Sequence, residues 1–470
     1  MSDAEALLVG VDIGTTRIKA GVLDGSGREL THARAPTEWV HTGLGDELDP
    51  ERLVDVVIGV VEAALRNAPA GRVCGVGITS IAETLILLDR ASKPIGRSPA
   101  WHDRRAEADF AELRRDLGRE TIGAVTGLGT SQIPSVATLR WRRARGASHA
   151  VRALSVAEWV AFSLSGVQAA EPSLASRTGA LAVATRRWWE EALAWAGVGT
   201  DFFPELSCAG TPFGRVRHPA DALARLWGAT VTVGGHDHLC AAVGVGATSP
   251  ERVMDSCGSA EALVRSVPAD PTRALAAGLE VGIETGCHVL AGFDALLGGL
   301  ALGLHLSPIL ALLGARSELG ATPLDAAALA LGDDSLPAVA PSQIPALREA
   351  GDDAARAALA SGAAPARIWR DAVASAVAGS LALLEGLRAL AGGVDEVRLS
   401  GGWARNALLA HLKSGHFPPL VIPRVDEAGV RGAAMFAGQA AGLYAGPGEF
   451  PPAPVVPFVQ VAQSPLQRSS

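Results

Sequence analysis

Lysine is scarce in this 470-residue sequence, which contains only Lys19, Lys93 and Lys413. None of the three stands in a Gly-Lys-Ser or Gly-Lys-Thr step. The chain therefore lacks the Walker A loop, in which such a lysine reaches the bound phosphates. Any phosphate that this protein binds must be held by backbone amides and hydroxyl groups in small turns.

Cysteine is also sparse, and its five copies are scattered without any Cys-x-x-Cys pair. This pattern excludes a disulfide framework and a thiolate zinc site. The N-terminal residues MSDAEALL are acidic, whereas a secretory signal would be basic at this position. Together these features predict a reduced, cytoplasmic location. The cysteines are Cys74, Cys208, Cys240, Cys257 and Cys287.

The chain has no surplus of positive charge, because 41 lysines and arginines face 49 acidic residues and the net charge is -8. Proteins that bind nucleic acid usually carry a basic surface. We therefore expect no nucleic-acid partner, and small-molecule chemistry is the better expectation.

One uncharged apolar run, residues 295–315, is long enough to cross a bilayer. Four glycines, His305, Ser307 and Pro308 interrupt this run. We therefore expect two buried helical pieces that meet at Ser307 and Pro308, and no membrane partner.

Length and apolar spacing predict an α/β protein with more than one domain. A chain of 470 residues exceeds one ordinary core. Residues 49–68 carry apolar side chains at helical spacing after Asp49 and Pro50. Residues 73–79 and 83–89 are short apolar runs that are typical of covered strands.

The second half repeats this order of elements. Residues 252–266 resemble a strand, a Gly-Ser turn and a second strand, as the N-terminus does. A helix is expected over 366–390, a strand over 394–400, and a further helix from about residue 404. This similarity is weaker than a true sequence repeat, but it predicts two α/β domains that face each other across a cleft.

We place the two expected domains at residues 1–241 and 242–470. The final residues 447–470 are rich in proline, valine and serine, and we expect them to form a surface extension of the second domain.

Asp12 follows an otherwise apolar strand within residues 7–30 and precedes the small turn Gly14-Thr15-Thr16. Two interpretations are open from these residues. Asp12 is either a turn residue or a carboxylate held at a strand end to meet a metal-bound phosphate. A second small turn, Gly258-Ser259, lies in the other half. Two such turns in separate halves favour phosphate binding over a purely local role.

Asp237 lies between His236 and His238, directly after a strand and a glycine pair within residues 231–247. Ligands of α/β proteins bind beyond the carboxyl ends of the strands. The three side chains could suggest a metal site, but neighbours on an extended segment point to opposite faces. We therefore expect Asp237 to act without the histidines.

Over nearly its whole length the chain resembles the FGGY carbohydrate kinases of the actin and heat-shock ATPase superfamily. The family's motifs occur here in the family's order. They are DIGTTRIK (12–19), GITSIAETLILLD (77–89), AWHDRRAEA (100–108), EPSLASRTG (171–179), GGHDHLCAAVGVG (234–246), MDSCGSAEAL (254–263), LSGGWARNALLAHL (399–412) and VDEAGVRGAAMFAG (425–438).

The resemblance implies two actin-like, ribonuclease H-like ATPase domains flanking a catalytic cleft. It implies ATP-dependent phosphorylation of a hydroxyl of a small sugar or polyol, a ketose or sugar alcohol of carbohydrate catabolism. Asp237 would be the general base, and Asp12 and Asp237 would hold Mg²⁺. Other roles follow in the same way. Gly14, Thr15, Thr16, Gly258 and Ser259 would contact phosphates, Lys19 would lie near the transferred group, and Gly401, Gly402 and Asn406 would border the adenosine.

Glu83, Trp101 and Asp103 are the residues that we expect to line the acceptor pocket, together with Asp237. Carboxylates accept paired hydrogen bonds from vicinal hydroxyls, and an indole offers a flat wall to a sugar's C–H face. The alternative for Asp103 is a surface ion pair with Arg104 or Arg105.

The chain departs from the family at Ile81 and Ala82, Glu171, Cys257 and Trp403, so the resemblance does not name the acceptor. Two other functions stay open: a catalytically silent sugar-binding or sensor protein, and a nucleotide hydrolase of the same superfamily. The segment Trp101-His102-Asp103 argues against the hydrolase. The sequence leaves the oligomeric state open, and a homodimer is one form that we expect.

Overall fold

A computed structural model describes residues 6–129, 133–315, 322–340, 343 and 352–458. The strands of its first half are β1 (Ala6–Ile13), β2 (Arg17–Asp24), β3 (Glu29–Pro36), β4 (Trp39–Thr42), β5 (Gly45–Leu48), β6 (Arg72–Ser80), β7 (Leu85–Leu88), β8 (Ser98–Pro99), β9 (Arg152–Ser155), β10 (Leu181–Ala182), β11 (Arg187–Trp188) and β12 (Thr230–His236). Its helices are α1 (Pro50–Arg66), α2 (Glu107–Leu117), α3 (Arg119–Thr126), α4 (Ser135–Arg142), α5 (Val156–Ser165), α6 (Pro172–Ser176), α7 (Glu190–Trp195) and α8 (Asp237–Gly244).

The main sheet of the first half has the strand order β12-β6-β1-β2-β3. Strands β1, β6 and β12 are parallel, whereas β2 and β3 continue as antiparallel neighbours. Every residue of β1 and of β12 is buried, as expected for strands covered on both faces. The carboxyl ends of the three parallel strands therefore meet at one edge of the sheet.

The expected helix over 49–68 is confirmed as α1, which packs on β2 and β3. Asp49 caps the helix, because its side chain accepts hydrogen bonds from the backbone amides of Glu51 and Arg52. Pro50 occupies the first turn, where a missing amide hydrogen costs nothing.

A separate apolar core is built from residues between 85 and 203 of this half. Helices α2, α3, α4 and α7 pack there beside the small β7–β9 pair, around Phe110, Leu193 and Phe203. Helix α6 lies in the same stretch of chain and contacts β12 of the main sheet.

The second half repeats the hairpin-first order of the first half. Its strands are β13 (Arg252–Cys257), β14 (Glu261–Pro268), β15 (Ile283–Cys287), β16 (Phe293–Leu300), β17 (Glu396–Ser400), β18 (Leu420–Pro423) and β19 (Val455–Pro457). Its helices are α9 (Leu275–Glu280), α10 (Leu302–Leu312), α11 (Pro323–Leu329), α12 (Asp353–Ala360), α13 (Pro365–Ala391), α14 (Ala407–His416) and α15 (Ala428–Ala440).

The second sheet has the order β15-β16-β14-β13-β17-β18-β19. As in the first half, an antiparallel hairpin, β13–β14, is followed by strands that run parallel to its first member, here β17 and β18. Strand β19 pairs with β18 and accounts for the described part of the expected C-terminal extension. The rest of that extension, residues 459–470, lies outside the described residues.

The expectation of two helical pieces that meet at Ser307 and Pro308 within residues 295–315 is wrong. The first part of this run belongs to β16, and the second part forms α10 with Pro308 inside the helix. Strand β16 lies between β14 and β15 and is covered, so its side chains are apolar without a period of two. Periodicity alone cannot separate such a strand from a buried helix.

One helix among the described residues, α13, is long and apolar enough to cross a membrane by length and composition. Within the molecule, 61% of its apolar window is buried. Its side chains Trp369, Val373 and Leu384 pack in the core of the second half. The apolar face of α13 is therefore packed against other parts of the protein.

Helix α15 belongs to the second half in sequence but packs on β1, β6 and β12 of the first sheet. It also crosses α8, whose residues join a core with β13 and β14 of the second sheet. Each half therefore contributes one helix that packs against the other half. The domain boundary between residues 241 and 242 stays a prediction, and it falls within α8.

Glycines permit this crossing by removing side chains between backbones. A Cβ atom on Gly77 of β6 would overlap the carbonyl oxygen of Ala433, and one on Gly10 of β1 would overlap that of Val430. Gly432 of α15 lies equally close to the carbonyl of Cys240 in α8.

We predict that Gly77→Ala destabilises the protein by about 1–3 kcal/mol or more, because β6 and α15 must separate to admit one methyl group. The matched control is Gly59→Ala in α1, where a Cβ meets nothing within 4 Å. The control should be neutral or stabilise the helix by about 0.5–1 kcal/mol. Thermal unfolding of both variants tests the pair, and equal midpoints would contradict the close-packing argument.

Candidate active site

Asp12 lies at the end of β1 with only 8% of its surface exposed. Its Oδ1 atom is buried and has no hydrogen-bond partner among the described residues. Burial raises the pKa of Asp12 to about 6, with Lys19 opposing the shift and the charges of Asp237 and Glu427 adding to it. A buried, unsatisfied carboxylate oxygen is unfavourable unless a ligand completes it.

Lys19 faces Asp12 across the β1–β2 hairpin, where the two residues are register partners. Its Nζ atom is 3.5 Å from Oδ2 of Asp12 and 2.8 Å from Oε2 of Glu427. Burial lowers the pKa of Lys19, but the two carboxylates outweigh this effect and the net shift is upward. Glu427 and Gly429 come from the start of α15, and a Cβ on Gly429 would press against the carboxyl group of Asp12. Residues of the second half therefore cover the carboxylate of Asp12.

Asp237 is the first residue of α8, directly beyond the end of β12. The side chain is 21% exposed, and its Oδ1 accepts a hydrogen bond of 2.8 Å from the amide of His238. The preceding Gly235 has φ +83°, and a Cβ there would strike Ser173 and Glu171. Only glycine therefore lets the chain turn and present Asp237 at the sheet edge.

Histidines flank Asp237 on both sides, and His236 lies close to its carboxylate. His236 is buried, and burial lowers its pKa to about 3, so the ring is neutral at pH 7. Its Nε2 lies 3.3 Å from Oδ1 of Asp237. No group that combines three possible metal ligands at this position occurs among the described residues. That Asp237 acts without the histidines stays a prediction.

Two buried glutamates support the segment that carries Asp237. The Ser173 hydroxyl donates to Glu171 and accepts a 2.9 Å hydrogen bond from the amide of His236. The amide of Glu171 in turn donates to Glu158 at 2.8 Å. Burial raises the pKa of Glu158 and that of Glu171 to about 7 each. Sequence inspection noted Glu171 only as a departure from the family and missed Glu158.

Two side-chain hydrogen bonds fix the backbone of the first small turn, Gly14-Thr15-Thr16, and its outer surface is exposed. The Thr37 hydroxyl donates to the carbonyl of Gly14, and the indole of Trp39 donates to that of Thr15. Thr16 is exposed. The turn therefore has a fixed backbone and a free outer surface.

Trp101 and Asp103 lie beside this turn. The Trp101 indole donates a 2.9 Å hydrogen bond to the Thr15 hydroxyl and so links the expected acceptor segment to the first turn. Both carboxylate oxygens of Asp103 accept from the Arg105 guanidinium, and the Asp103 side chain is 1% exposed. The pairing with Arg105 weighed as an alternative is thus present, but it is buried. The acceptor roles of both residues stay predictions.

Glu83 lies two residues before β7 begins, and it has the unusual φ of +62°. Its Oε1 atom is 2.7 Å from Nε of Arg177, which also reaches Glu284 of β15 at 2.6 Å. The three side chains line a small cavity with Leu128, Gly129 and Pro134. A non-glycine residue in the left-handed region is often found at functional sites.

The second small turn, Gly258-Ser259, joins β13 to β14 and is partly exposed. Strand β17 runs parallel to β13, and its following residue Gly401 lies against the backbone of Cys257. The expected phosphate and adenosine turns are therefore neighbours at the carboxyl ends of two parallel strands. The Trp403 indole and the carbonyl of Gly258 both lie close to Gly303. Gly402 begins the short 3₁₀ helix Gly402–Arg405 that carries it.

Asn406 is buried and both ends of its amide are used. Its oxygen caps α14 by accepting from the Leu409 amide at 2.9 Å, and its nitrogen donates to Asp325 at 2.9 Å. Asn406 therefore ties the end of the segment 401–405 to α14 and to Asp325 of α11. Its role beside the nucleotide stays a prediction.

A fully buried ionic cluster lies directly beneath the second turn. The Lys413 ammonium pairs with Asp255 and Glu261, and its Nζ is 3.5 Å from Sγ of Cys257. Burial raises the pKa of Glu261 to about 7, and Ser380 donates to its other oxygen at 2.7 Å. The Cys257 thiol, one of the departures from the family, lies among these charges.

Sequence comparison agrees with this arrangement. Residues 7–244 match the profile described as the FGGY family of carbohydrate kinases, N-terminal domain. The chain belongs to the FGGY family of carbohydrate kinases. A glycerol kinase from Rhizorhabdus wittichii is 28% identical over 471 residues, which cover 93% of this chain and 88% of the relative. The chain spans about half the length of the autoinducer-2 kinases that it matches, such as that of Salmonella typhimurium at 28% identity over 278 residues.

Solved structures of FGGY kinases share the fold. Xylulose kinase from Lactobacillus acidophilus matches with a TM-score of 0.79 at 18% identity, covering 97% of this chain and 96% of the other. Plasmodium falciparum glycerol kinase with ADP matches with a TM-score of 0.78 at 16% identity, covering 96% and 94%. The expected fold, with two actin-like domains, is confirmed. The expected enzyme class, a carbohydrate kinase, is confirmed as well.

The residues that sequence reasoning missed are those that act from the other half or from beneath the site. They are Glu158, Ser173, Arg177, Glu284, Glu427 and Gly429. Four of them lie within motifs that were quoted for the resemblance, so their positions were available although their contacts were not. Glu284 lies outside every motif, and no local signal marked it.

We predict that Lys413→Met destabilises the protein by about 3–5 kcal/mol, because it leaves two buried carboxylates without their cation. Lys93→Met is the matched control, since Lys93 is exposed. Replacing Asp255 by Asn and Glu261 by Gln in the Lys413→Met background should restore part of the loss. Chemical unfolding measures all three, and a Lys413→Met variant as stable as the control would contradict a structural role for the ion cluster.

We predict that Asp12→Asn stabilises the ligand-free protein at pH 7.5. The pKa of Asp12 lies above its ordinary value, so the folded wild type binds the proton more tightly and loses stability as pH rises from about 4 to 6. Asparagine removes this loss, which amounts to about 2–3 kcal/mol. Thermal midpoints of the wild type and Asp12→Asn in chelator at pH 4.5 and 7.5, with Asp55→Asn as an exposed control, should differ much more at the higher pH. A lower midpoint for Asp12→Asn at pH 7.5 would show that Asp12 is a structural anchor.

Proposed function

We propose that this FGGY kinase uses Mg²⁺-ATP to phosphorylate a hydroxyl of a small sugar or polyol, with Asp237 as general base. The observation that carries the proposal is the placement of Asp12 and Asp237 at the carboxyl ends of parallel strands of one sheet. The two charges are close enough for Asp237 to raise the pKa of Asp12. Phosphoryl transfer requires such positioning and charge neutralisation more than covalent participation of the protein.

The residues present fit a magnesium ion. Asp12 offers a buried oxygen without a partner among the described residues, and a second carboxylate, Asp237, lies at the same sheet edge. Oxygen ligands from one or two carboxylates, completed by phosphates, suit Mg²⁺. We therefore propose Asp12 and Asp237 as the residues that hold it. When bound, the ion would neutralise the charge that develops on the phosphates.

The phosphates of the nucleotide would lie between the two small turns. Gly14, Thr15 and Thr16 offer amides and hydroxyls from the first half, and Gly258 and Ser259 offer them from the second. Lys19 adds a cation at the transferred group, although Asp12 and Glu427 already pair with it. Gly401, Gly402 and Asn406 would form the adenosine side. The ADP present in the related glycerol kinase supports ATP as the donor.

The acceptor hydroxyl would approach Asp237 from the side of Glu83, Trp101 and Asp103. Asp237 is oriented by its hydrogen bond from the His238 amide and leaves its other oxygen for the hydroxyl proton. Because the transition state of phosphoryl transfer is loose, that proton leaves late, when the oxygen has become acidic. Asp237 thus orients the hydroxyl as much as it deprotonates it.

We predict that Asp237→Asn lowers turnover by about two to four orders of magnitude, the usual contribution of a general acid or base. The substitution keeps the side chain's size but removes the proton acceptor. Nucleotide binding should survive, because both small turns are unchanged. ADP release from tetroses, ketopentoses, deoxyhexuloses and polyols gives the measurement, and Asp55→Asn is the exposed control.

A variant that retains more than about a tenth of wild-type turnover would contradict the role of Asp237. A wild-type protein that binds acceptors but never releases ADP would instead support the silent sugar-binding alternative.

A further inference from the structure

His236 ends β12 directly before Asp237, and its buried side chain lies beside the carboxylate of that residue. Its Nε2 atom is 3.3 Å from Oδ1 of Asp237. We propose that His236 is a positioning residue, which donates a hydrogen bond from Nε2 to Oδ1 and leaves Oδ2 of Asp237 for the acceptor hydroxyl. The inference rests on the proposed function, and it replaces the expectation that Asp237 acts without the histidines.

The chemistry of the two side chains decides which one donates. An ionised carboxylate only accepts hydrogen bonds, whereas a neutral imidazole has one N–H group and one bare nitrogen. Nδ1 of His236 is buried and has no partner among the described residues, so a proton there would have no acceptor. That tautomer would also set the lone pair of Nε2 against the carboxylate oxygen. The contact with Asp237 therefore favours the tautomer with the proton on Nε2.

Oδ1 of Asp237 is then held by two donors. The amide of His238 already donates to it at 2.8 Å, and Nε2 of His236 is the second donor. Two donors on one oxygen fix the rotation of the carboxyl group, and they stabilise negative charge on that oxygen. The described residues provide no donor for Oδ2 of Asp237. The acceptor hydroxyl therefore meets a single, preoriented oxygen as its proton acceptor.

The position of His236 is fixed by its neighbours. Its amide donates a 2.9 Å hydrogen bond to the Ser173 hydroxyl, which donates in turn to the buried Glu171. The preceding Gly235 has φ +83°, and a Cβ there would overlap the Ser173 hydroxyl. The ring of His238 lies edge-on to the ring of His236, with the centroids 5.7 Å apart. Backbone and ring are both restrained, as a positioning residue requires.

The 3.3 Å contact is longer than a hydrogen bond between a nitrogen donor and a charged oxygen, which is usually about 2.7–2.9 Å. Catalytic hydrogen bonds often reach their final length only in the complex with substrate. Asp237 is the more exposed partner, at 21% against 8% for His236. A small rotation of the carboxyl group toward the fixed ring is therefore enough to shorten the contact.

His236 could also serve only as a packing residue, because its side chain is buried. The loss of a packing residue lowers stability and affects the use of both substrates. A positioning residue acts through Asp237 alone, so its loss lowers kcat and leaves the KM for ATP and for the acceptor nearly unchanged. Its effect also disappears once Asp237 has been replaced.

The test is a double-mutant cycle on the full-length protein, with His236→Leu, Asp237→Asn and the two combined. ADP release is measured with the tetrose, ketopentose, deoxyhexulose or polyol that has the highest wild-type kcat/KM. We expect His236→Leu to lower kcat roughly 10- to 100-fold, the range for a hydrogen bond to a charged group. The KM values should stay within about threefold of the wild type. The double variant should match Asp237→Asn within about threefold in kcat.

Two amide variants separate the hydrogen bond from packing. In His236→Gln the side-chain nitrogen reaches about as far as Nε2 of histidine, so kcat should stay within about fivefold of the wild type. The shorter His236→Asn should lose as much activity as His236→Leu. His288→Leu is the control for the loss of a buried imidazole, because His288 is 4% exposed and contacts Ser266 and the amide of Leu290. Its folded fraction, measured by circular dichroism, should have wild-type kcat.

A folded His236→Leu variant with wild-type kcat would overturn the inference and restore the expectation that Asp237 acts without the histidines. A double variant in which the two losses multiply would overturn it as well, because His236 would then act independently of Asp237. If His236→Leu does not fold, the amide pair decides, and equal kcat values for His236→Gln and His236→Asn would contradict the hydrogen bond.

Failure of the proposed function gives a different result. An Asp237→Asn variant with more than about a tenth of wild-type turnover would remove the proposed base, and the inference with it. ADP release from none of the panel compounds would overturn the kinase proposal in the same way. A large loss in Asp237→Asn beside an unchanged His236→Leu would leave the proposed function intact and overturn the inference alone.

Discussion

The crossing of α15 over β1, β6 and α8 is the constraint on which the rest of the structure depends. Gly10, Gly77 and Gly432 allow backbone to touch backbone at this crossing, and a single methyl group would force the elements apart. Because α15 comes from the second half and α8 from the first, the crossing joins the halves at their cores. It also carries Glu427 and Gly429 to Asp12.

The electrostatic plan of the site follows from that packing. Three buried or partly buried cations each lie between two carboxylates: Lys19 with Asp12 and Glu427, Arg177 with Glu83 and Glu284, and Lys413 with Asp255 and Glu261. Each group carries one negative charge when both of its carboxylates are ionised. A site that is short of positive charge favours a divalent cation with its nucleotide.

The departures from the family are accommodated by packing. Ile81 and Ala82, where some relatives have polar residues, belong to the core of the first half. The next acid along that segment, Glu83, pairs with Arg177, which also pairs with Glu284. Cys257 fits the space beside the Lys413 cluster, and Trp403 fills the gap next to Gly303. These substitutions alter what lines the cleft without altering the sheets that frame it.

The sequence by itself determined the fold class and the family, because strand patterns and motifs are local features of the chain. Helix α1, the hairpins after Asp12 and Asp255, and the strand end at Asp237 all follow from residues that are neighbours in sequence. The run 295–315 was misjudged because burial on both faces removes the period that separates strands from helices.

Only the tertiary structure decided which charges face each other. Glu284 is 107 residues from Arg177 and 201 residues from Glu83, and Glu427 is 408 residues from Lys19. No local pattern records such distances, since any exposed glutamate in a turn or strand looks the same in sequence. The position of a carboxylate in the chain is written in the sequence, but its partner, its burial and its pKa arise from the packing of elements that the chain brings together.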